Sequence, residues 1–194
     1  MMNHVEERLW VAAKGSHLPE VWSLLRDHPG LNVNCTKRPR PTALHIASVH
    51  GHVEVVKLLL AHPNINVNVK NNDGKTPFLL GCQYGKVSVV EVLLKDFRVD
   101  ISLRDDGDRT ALWWASSNGH HEVVEWFIAS DRNLETILTL RGMNDHRART
   151  ALEMARKNQR PKVLALLERF MEDPVQTRFE VCAKLGVLAE VFLL

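Results

Sequence analysis

The stretch Thr42-Ala-Leu-His-Ile-Ala-Ser-Val-His-Gly-His-Val-Glu-Val-Val-Lys-Leu-Leu-Leu-Ala61 decides the fold. Thr42 is placed to cap a helix, its hydroxyl accepting from a first-turn N–H. Gly51 is the residue type that takes the left-handed conformation after a helix C-terminus. A second helix is predicted from about Val53 to Ala61, stopping before Pro63, which cannot continue it. Its Val53, Val55, Val56, Leu58, Leu59 and Leu60 cover most of the circumference, leaving Glu54 and Lys57 as the main polar pair. An apolar arc this wide fits a helix packed on its partner and on a neighbour at each side. Both helices are too short to be stable alone, so their stability must come from stacking.

The stretch is repeated. Thr42-Ala-Leu-His45 recurs as Thr76-Pro-Phe-Leu79, Thr110-Ala-Leu-Trp113 and Thr150-Ala-Leu-Glu153, at spacings of 34, 34 and 40 residues. Gly51 to Leu60 returns as Gly85 to Leu94 and as Gly119 to Ile128, and His28 to Asn34 returns as His62 to Asn68 and as Asp96 to Ser102. Three motifs sharing one period mean stacked supersecondary units. The pattern resembles the ankyrin repeat, whose T-P-L-H-x-A signature stands here as Thr42-Ala-Leu-His-Ile-Ala47 ahead of Gly51-His52. The resemblance covers residues from about 5 to 171 and implies an all-α repeat solenoid, an ankyrin-like stack of helix–turn–helix units with hairpin fingers.

Divided by this period, residues 1–36 form an N-terminal capping repeat, 37–70 and 71–104 two regular repeats, and 105–144 a repeat with a lengthened finger. Residues 145–171 form a C-terminal repeat and 172–194 an amphipathic C-terminal helix. In the first copy, taken 34 residues upstream, Arg8 stands where the others have the Thr cap. That frame sets Trp10 against Leu44 and Trp22 against Val56, while Trp114 matches Ile46 and Trp126 matches Leu58, so all four are expected in the core. Trp113, in the slot of His45, either fills the base of a finger or offers an aromatic anchor. The extra length before Thr150 makes the finger 129–149 longer, as a binding element or a tolerated insertion. Beyond Pro174, Val175, Phe179, Cys182, Leu185, Ala189 and Phe192 fall at spacings of three and four. They predict a helix that covers the end of the stack or offers a sticky surface.

Several classes of function are disfavoured. The 194 residues are 45% hydrophobic and 25% charged with a net charge of +2, the balance of an ordinary globular chain. Cys35, Cys82 and Cys182 form no CxxC pair, which argues against a disulfide framework or zinc ribbon and for a reducing compartment, cytoplasmic or nuclear. The apolar end 185–194 is too short for the ~20 residues of a membrane span. No phosphate-binding glycine loop or nucleophile elbow occurs. His121-Glu122-Val-Val-Glu125 is half of a zinc-protease motif, but the repeat already accounts for it, and Asp105-Asp-Gly-Asp108 reads as turn chemistry. No catalytic residue, cofactor or metal is expected, and His45 is read as a structural imidazole.

The resemblance implies a scaffold or adaptor that binds a protein partner in a concave groove lined by finger bases and first helices. The positions it assigns there are Arg40, Pro41, Val49, His50, Lys75, Gln83, Tyr84, Arg109, Ser117, Asn118, Arg149, Lys157 and Asn158, with Trp113 as the aromatic candidate. Two alternatives stand beside it. Between Arg141 and Lys162 seven basic residues face only Asp145 and Glu153, which would suit nucleic acid or another polyanion, a partner less expected than a protein. Residues 175–194 would suit self-association.

Overall fold

The computed structural model describes residues 3–36, 41–132, 134–144 and 147–188. In chain order its elements are α1 (His4–Lys14), α2 (Leu18–Asp27), α3 (Ala43–His50), α4 (Val53–Leu60), α5 (Pro77–Gln83), α6 (Val87–Lys95), α7 (Ala111–Asn118) and α8 (His121–Ala129). Then come α9 (Leu134–Thr139), β1 (Gly142–Asn144), β2 (Arg147–Arg149), α10 (Ala151–Lys157), α11 (Pro161–Glu172) and α12 (Pro174–Leu185). First helices pack in one row, α1-α3-α5-α7-α10, and second helices in another, α2-α4-α6-α8-α11. The core between the rows is continuous. Leu44, Val55, Val56, Leu59, Leu79, Val90, Leu93, Leu112 and Val124 are all buried, each contributing roughly 1.5–3 kcal/mol.

The local signals act as read. Thr42, Thr76, Thr110 and Thr150 each accept a hydrogen bond from the amide three residues on. Gly51, Gly85 and Gly119 close the first helices with φ of 79°, 64° and 83°. Ser16 and Gln159 fill the same slot with φ of 57° and 54°, a conformation that strains a side-chain-bearing residue.

Ser16 also corrects the frame of the first copy. It lies 35 residues before Gly51, and the caps His17 and His52 share backbone angles (φ −80°, ψ 75° and φ −81°, ψ 77°). The helices of this copy are therefore offset by 35 residues, while its finger keeps 34. Leu9, Ala12 and Val21 take the slots of Leu44, Ala47 and Val56. Trp10 falls opposite His45, not Leu44, and Trp22 opposite the polar Lys57. Trp22 is accordingly 51% exposed rather than core, with the Arg26 guanidinium 4.2 Å from its ring. It lines a shallow cleft of about 450 Å³ with Leu18, Pro19, Glu54, Lys57 and Leu58. Trp10, Trp114 and Trp126 are half-buried.

Neighbouring fingers are stitched by asparagine. Asn34 Nδ2 donates to the Asn64 carbonyl (2.7 Å) and its Oδ1 accepts from the Asn66 amide (2.8 Å). One period later Asn68 does the same to Arg98 and Asp100, at 2.8 and 2.9 Å. The added length before Thr150 is not simply a longer loop. It holds α9, which buries Leu134, Ile137 and Leu138, and the antiparallel pair β1–β2, in which Gly142 faces Arg149. α12 lies across α11 and α8, with Thr177, Val181 and Cys182 inward. Arg178 Nε donates to the Ile128 carbonyl (3.1 Å), and Lys184 pairs with Glu125 (2.5 Å). Val175 and Phe179, expected on the apolar face with Cys182, instead point outward at 79% and 48% exposure. Ala189 and Phe192 lie outside the described residues.

Candidate functional site

The face formed by the first helices and the finger bases is built by a side-chain hydrogen bond that crosses from one unit to the next at three junctions, Leu79 holding the slot at the fourth. His45 is fully buried: its Nδ1 accepts from the Thr42 amide (3.2 Å), so Nε2 carries the proton and donates to the Lys75 carbonyl (3.0 Å). Burial pulls its pKa from 6.5 down to about 4, against the opposing effect of its backbone partners. Trp10 Nε1 donates to the Pro41 carbonyl (2.9 Å) and Trp113 Nε1 to the Arg149 carbonyl (3.1 Å). Three different side chains thus reach the residue that precedes the next Thr cap. Trp113 is 2% exposed, so it fills the finger base and offers no free anchor. β1 lies directly over it: a Cβ at Gly142 would sit 2.9 Å from Arg109 Cα and 3.1 Å from Trp113 Cδ1.

A second set of bonds joins the helix ends. Asn118 Nδ2 and His120 Nε2 reach the Gln83 carbonyl at 2.8 and 3.0 Å, and Asn158 Nδ2 reaches the Ser117 carbonyl and hydroxyl at 3.0 and 2.9 Å. Ser117 is buried. Three positions assigned to a partner, Ser117, Asn118 and Asn158, therefore tie the units to one another. Gln83 Oε1 is buried without a hydrogen-bond partner. His50 is exposed and stacks on His52 (5.6 Å between centroids), and burial, then His52 and two lysines, lower its pKa. Tyr84 is 51% exposed and Lys157 is also exposed, while Pro41, Val49, Lys75 and Arg149 are half-buried. Arg40 lies outside the described residues.

The most developed chemistry on this face surrounds Asp105, whose carboxylate is wholly buried. The equivalent Asn71 accepts from the Asp73 and Lys75 amides (3.0 and 2.9 Å), a turn device that Asp105 repeats with the Gly107 and Arg109 amides (2.9 and 3.0 Å). The charge adds two further bonds. Arg109 Nε and Trp114 Nε1 both donate to Oδ2 at 2.9 Å. The indole of Trp114, half-buried, then carries two cations, Lys75 Nζ at 4.4 Å and Arg109 Cζ at 4.5 Å from its centroid. Burial lowers the Lys75 pKa, partly offset by Asp105 and Asp73. Sequence reasoning set Trp114 in the core and Asp105 in an ordinary turn. The available signal was the change from Asn71 to Asp105 in one slot together with Ile46 to Trp114 in another.

At the basic end, Arg141 pairs with Glu153 (3.3 Å), Arg156 with Glu168 (3.0 Å), and Arg160 Nε donates to the Ser117 carbonyl (3.1 Å). Among the described residues no helix is long and apolar enough to cross a membrane, and no three His, Cys, Asp or Glu side chains are grouped to hold a metal. Residues 9–105 match the family described as ankyrin repeats in three copies, and residues 107–137 match a single ankyrin repeat. No curated protein matches the chain.

Proposed function

Because the chain belongs to the ankyrin repeat family, whose members are generally protein–protein interaction modules, we propose that it is a non-catalytic scaffold or adaptor whose partner binds along the first helices and finger bases. The observation that carries this is Tyr84, a large aromatic half exposed on a face whose neighbouring polar groups are held by bonds between units. Such a surface is preformed, so little ordering opposes association. Aromatic side chains of this kind are over-represented among residues that dominate binding energy.

The test is capture from native lysate by the wild-type chain, Tyr84→Ala and Lys75→Gln. Both positions can be changed without removing a hydrogen bond between units, whereas Arg109→Glu would set a second carboxylate against Asp105. Loss of one captured protein with Tyr84→Ala supports the reading; equal capture by all three overturns it. Self-association through α12 has an observation of its own: Val175 and Phe179 are 79% and 48% exposed, beside Met171 at the end of α11 (59%). It requires a solution mass above the monomer that returns to the monomer in Val175→Glu.

A further inference from the structure

At Trp114 one of the two cations, Lys75, has no ion-pair partner among the described residues. Asp105 cannot serve both cations, because Oδ1 already accepts from Gly107 N, Arg109 N and Arg109 Nε, and Oδ2 from Arg109 Nε and Trp114 Nε1. A carboxylate has only about four lone-pair sites. The Lys75 ammonium is left with the indole face and, among the described residues, no carboxylate within ion-pair distance. A ring quadrupole attracts a cation but offers no hydrogen-bond acceptor to its three N–H donors. In the next unit the same slot holds Arg109, and there the carboxylate is supplied by the chain itself. The deficit at Lys75 is therefore local to one position.

The surroundings state what kind of group would supply the charge. Trp114 and Asn118 lie on one face of α7, being four residues apart. Asn118 is bonded to the Gln83 carbonyl, which places the exposed Tyr84 next along the same surface. A cation over one indole, with a second aromatic side chain at the far end of α5, fits one carboxylate with an apolar group further along the same segment. A polyphosphate backbone would call for a row of free cations, but Arg109, Arg141 and Arg156 are each already paired with a carboxylate.

We propose that the partner docks an acidic peptide segment here, one Asp or Glu carboxylate binding the Lys75 ammonium over Trp114 and an apolar side chain a few residues along the same segment lying on Tyr84. This rests on the first-helix interface proposed above. The experiment is selection of random 12-residue peptides on the full chain, followed by titration of the recovered peptides against wild type, Lys75→Arg, Lys75→Gln and Tyr84→Ala. A 20-nucleotide oligothymidine serves as the polyanion probe. The expected peptides share an Asp or Glu with an apolar residue a few positions away. Replacing that acid by its amide, or Lys75 by Gln, weakens binding about tenfold, the two changes together no more than either alone, and Lys75→Arg retains most of it. Peptides without acidic enrichment that ignore Lys75→Gln but are lost with Tyr84→Ala overturn the acidic segment and leave the interface standing. Peptides insensitive to both positions, or none recovered, overturn both. Lys75-dependent binding of the oligothymidine at equal or higher affinity overturns the peptide in favour of a polyanion.

Discussion

Acidification should unfold this protein earlier than its carboxylates alone require, and His45 is the reason. Its ring is fully buried and neutral, with Nδ1 accepting from the Thr42 amide and Nε2 donating to the Lys75 carbonyl. A second proton would have to be placed on Nδ1, against an N–H that already points at it. The folded pKa is about 4 and the ordinary value 6.5, so between these limits the unfolded chain binds more protons than the folded one. The part of stability that depends on a neutral His45 is therefore flat above pH 6.5, falls as pH drops through the window, and is fully lost below 4, where the dependence levels off. Each pH unit inside the window removes up to about 1.4 kcal/mol, and moving from pH 7.5 to 5.0 removes about 2 kcal/mol. That is a large share of the ~5–15 kcal/mol that holds a typical domain. His45→Gln separates this from carboxylate titration. The amide can still reach back to the Thr42 amide as in a capping box, but it does not titrate. In urea melts the variant should be less stable than wild type at pH 7.5 by roughly 1 kcal/mol, for the lost bond to Lys75. At pH 5.0 the gap should close or reverse, having moved by about 2 kcal/mol. An unchanged gap at the two pH values, or a His45 ring whose NMR shifts titrate with a midpoint near 6.5, would refute the reasoning.

Opposite signs are expected at two equivalent turns. Gly85→Ala places a Cβ 2.6 Å from His120 Nδ1 at a φ of +64° and should cost about 2 kcal/mol in a urea melt. Gln159→Gly relieves a φ of +54° and should add ~0.5–1 kcal/mol, the relief exceeding the entropy that glycine adds to the unfolded chain. Trp113→Phe leaves the Arg149 carbonyl without its indole donor and should cost ~1–3 kcal/mol; a melt like that of wild type would show that the bond contributes nothing. Asn68→Ala removes both links between its finger and the next, and hydrogen exchange should speed up at the Asp100 amide but not at Asn66, which Asn34 still holds.

What the sequence determined by itself is whatever depends on neighbours along the chain. Thr42, Thr76, Thr110 and Thr150 cap because a hydroxyl reaches an amide three residues away. Gly51, Gly85 and Gly119 turn because only the local backbone decides the cost of a positive φ. The wide apolar arc of α4 announces two packed flanks without showing what packs there. From these and the period, the stack of paired helices was legible.

The tertiary structure decided what depends on groups some thirty to forty residues apart. The first copy shifts by one residue because Ser16 takes a left-handed turn without a glycine to mark it, and Trp22 goes from core to surface with that shift. Ser117, Asn118 and Asn158 sit where a partner would be sought, but Asn118 donates to the Gln83 carbonyl, and Asn158 to the carbonyl and hydroxyl of Ser117. Trp114 looks like one more apolar slot until a buried Asp105 claims its N–H and two cations settle on its ring. Repetition records which slots are apolar. The chemistry exchanged across a slot depends on the unlike residues that two successive copies bring together, and only stacking them supplies the pairs.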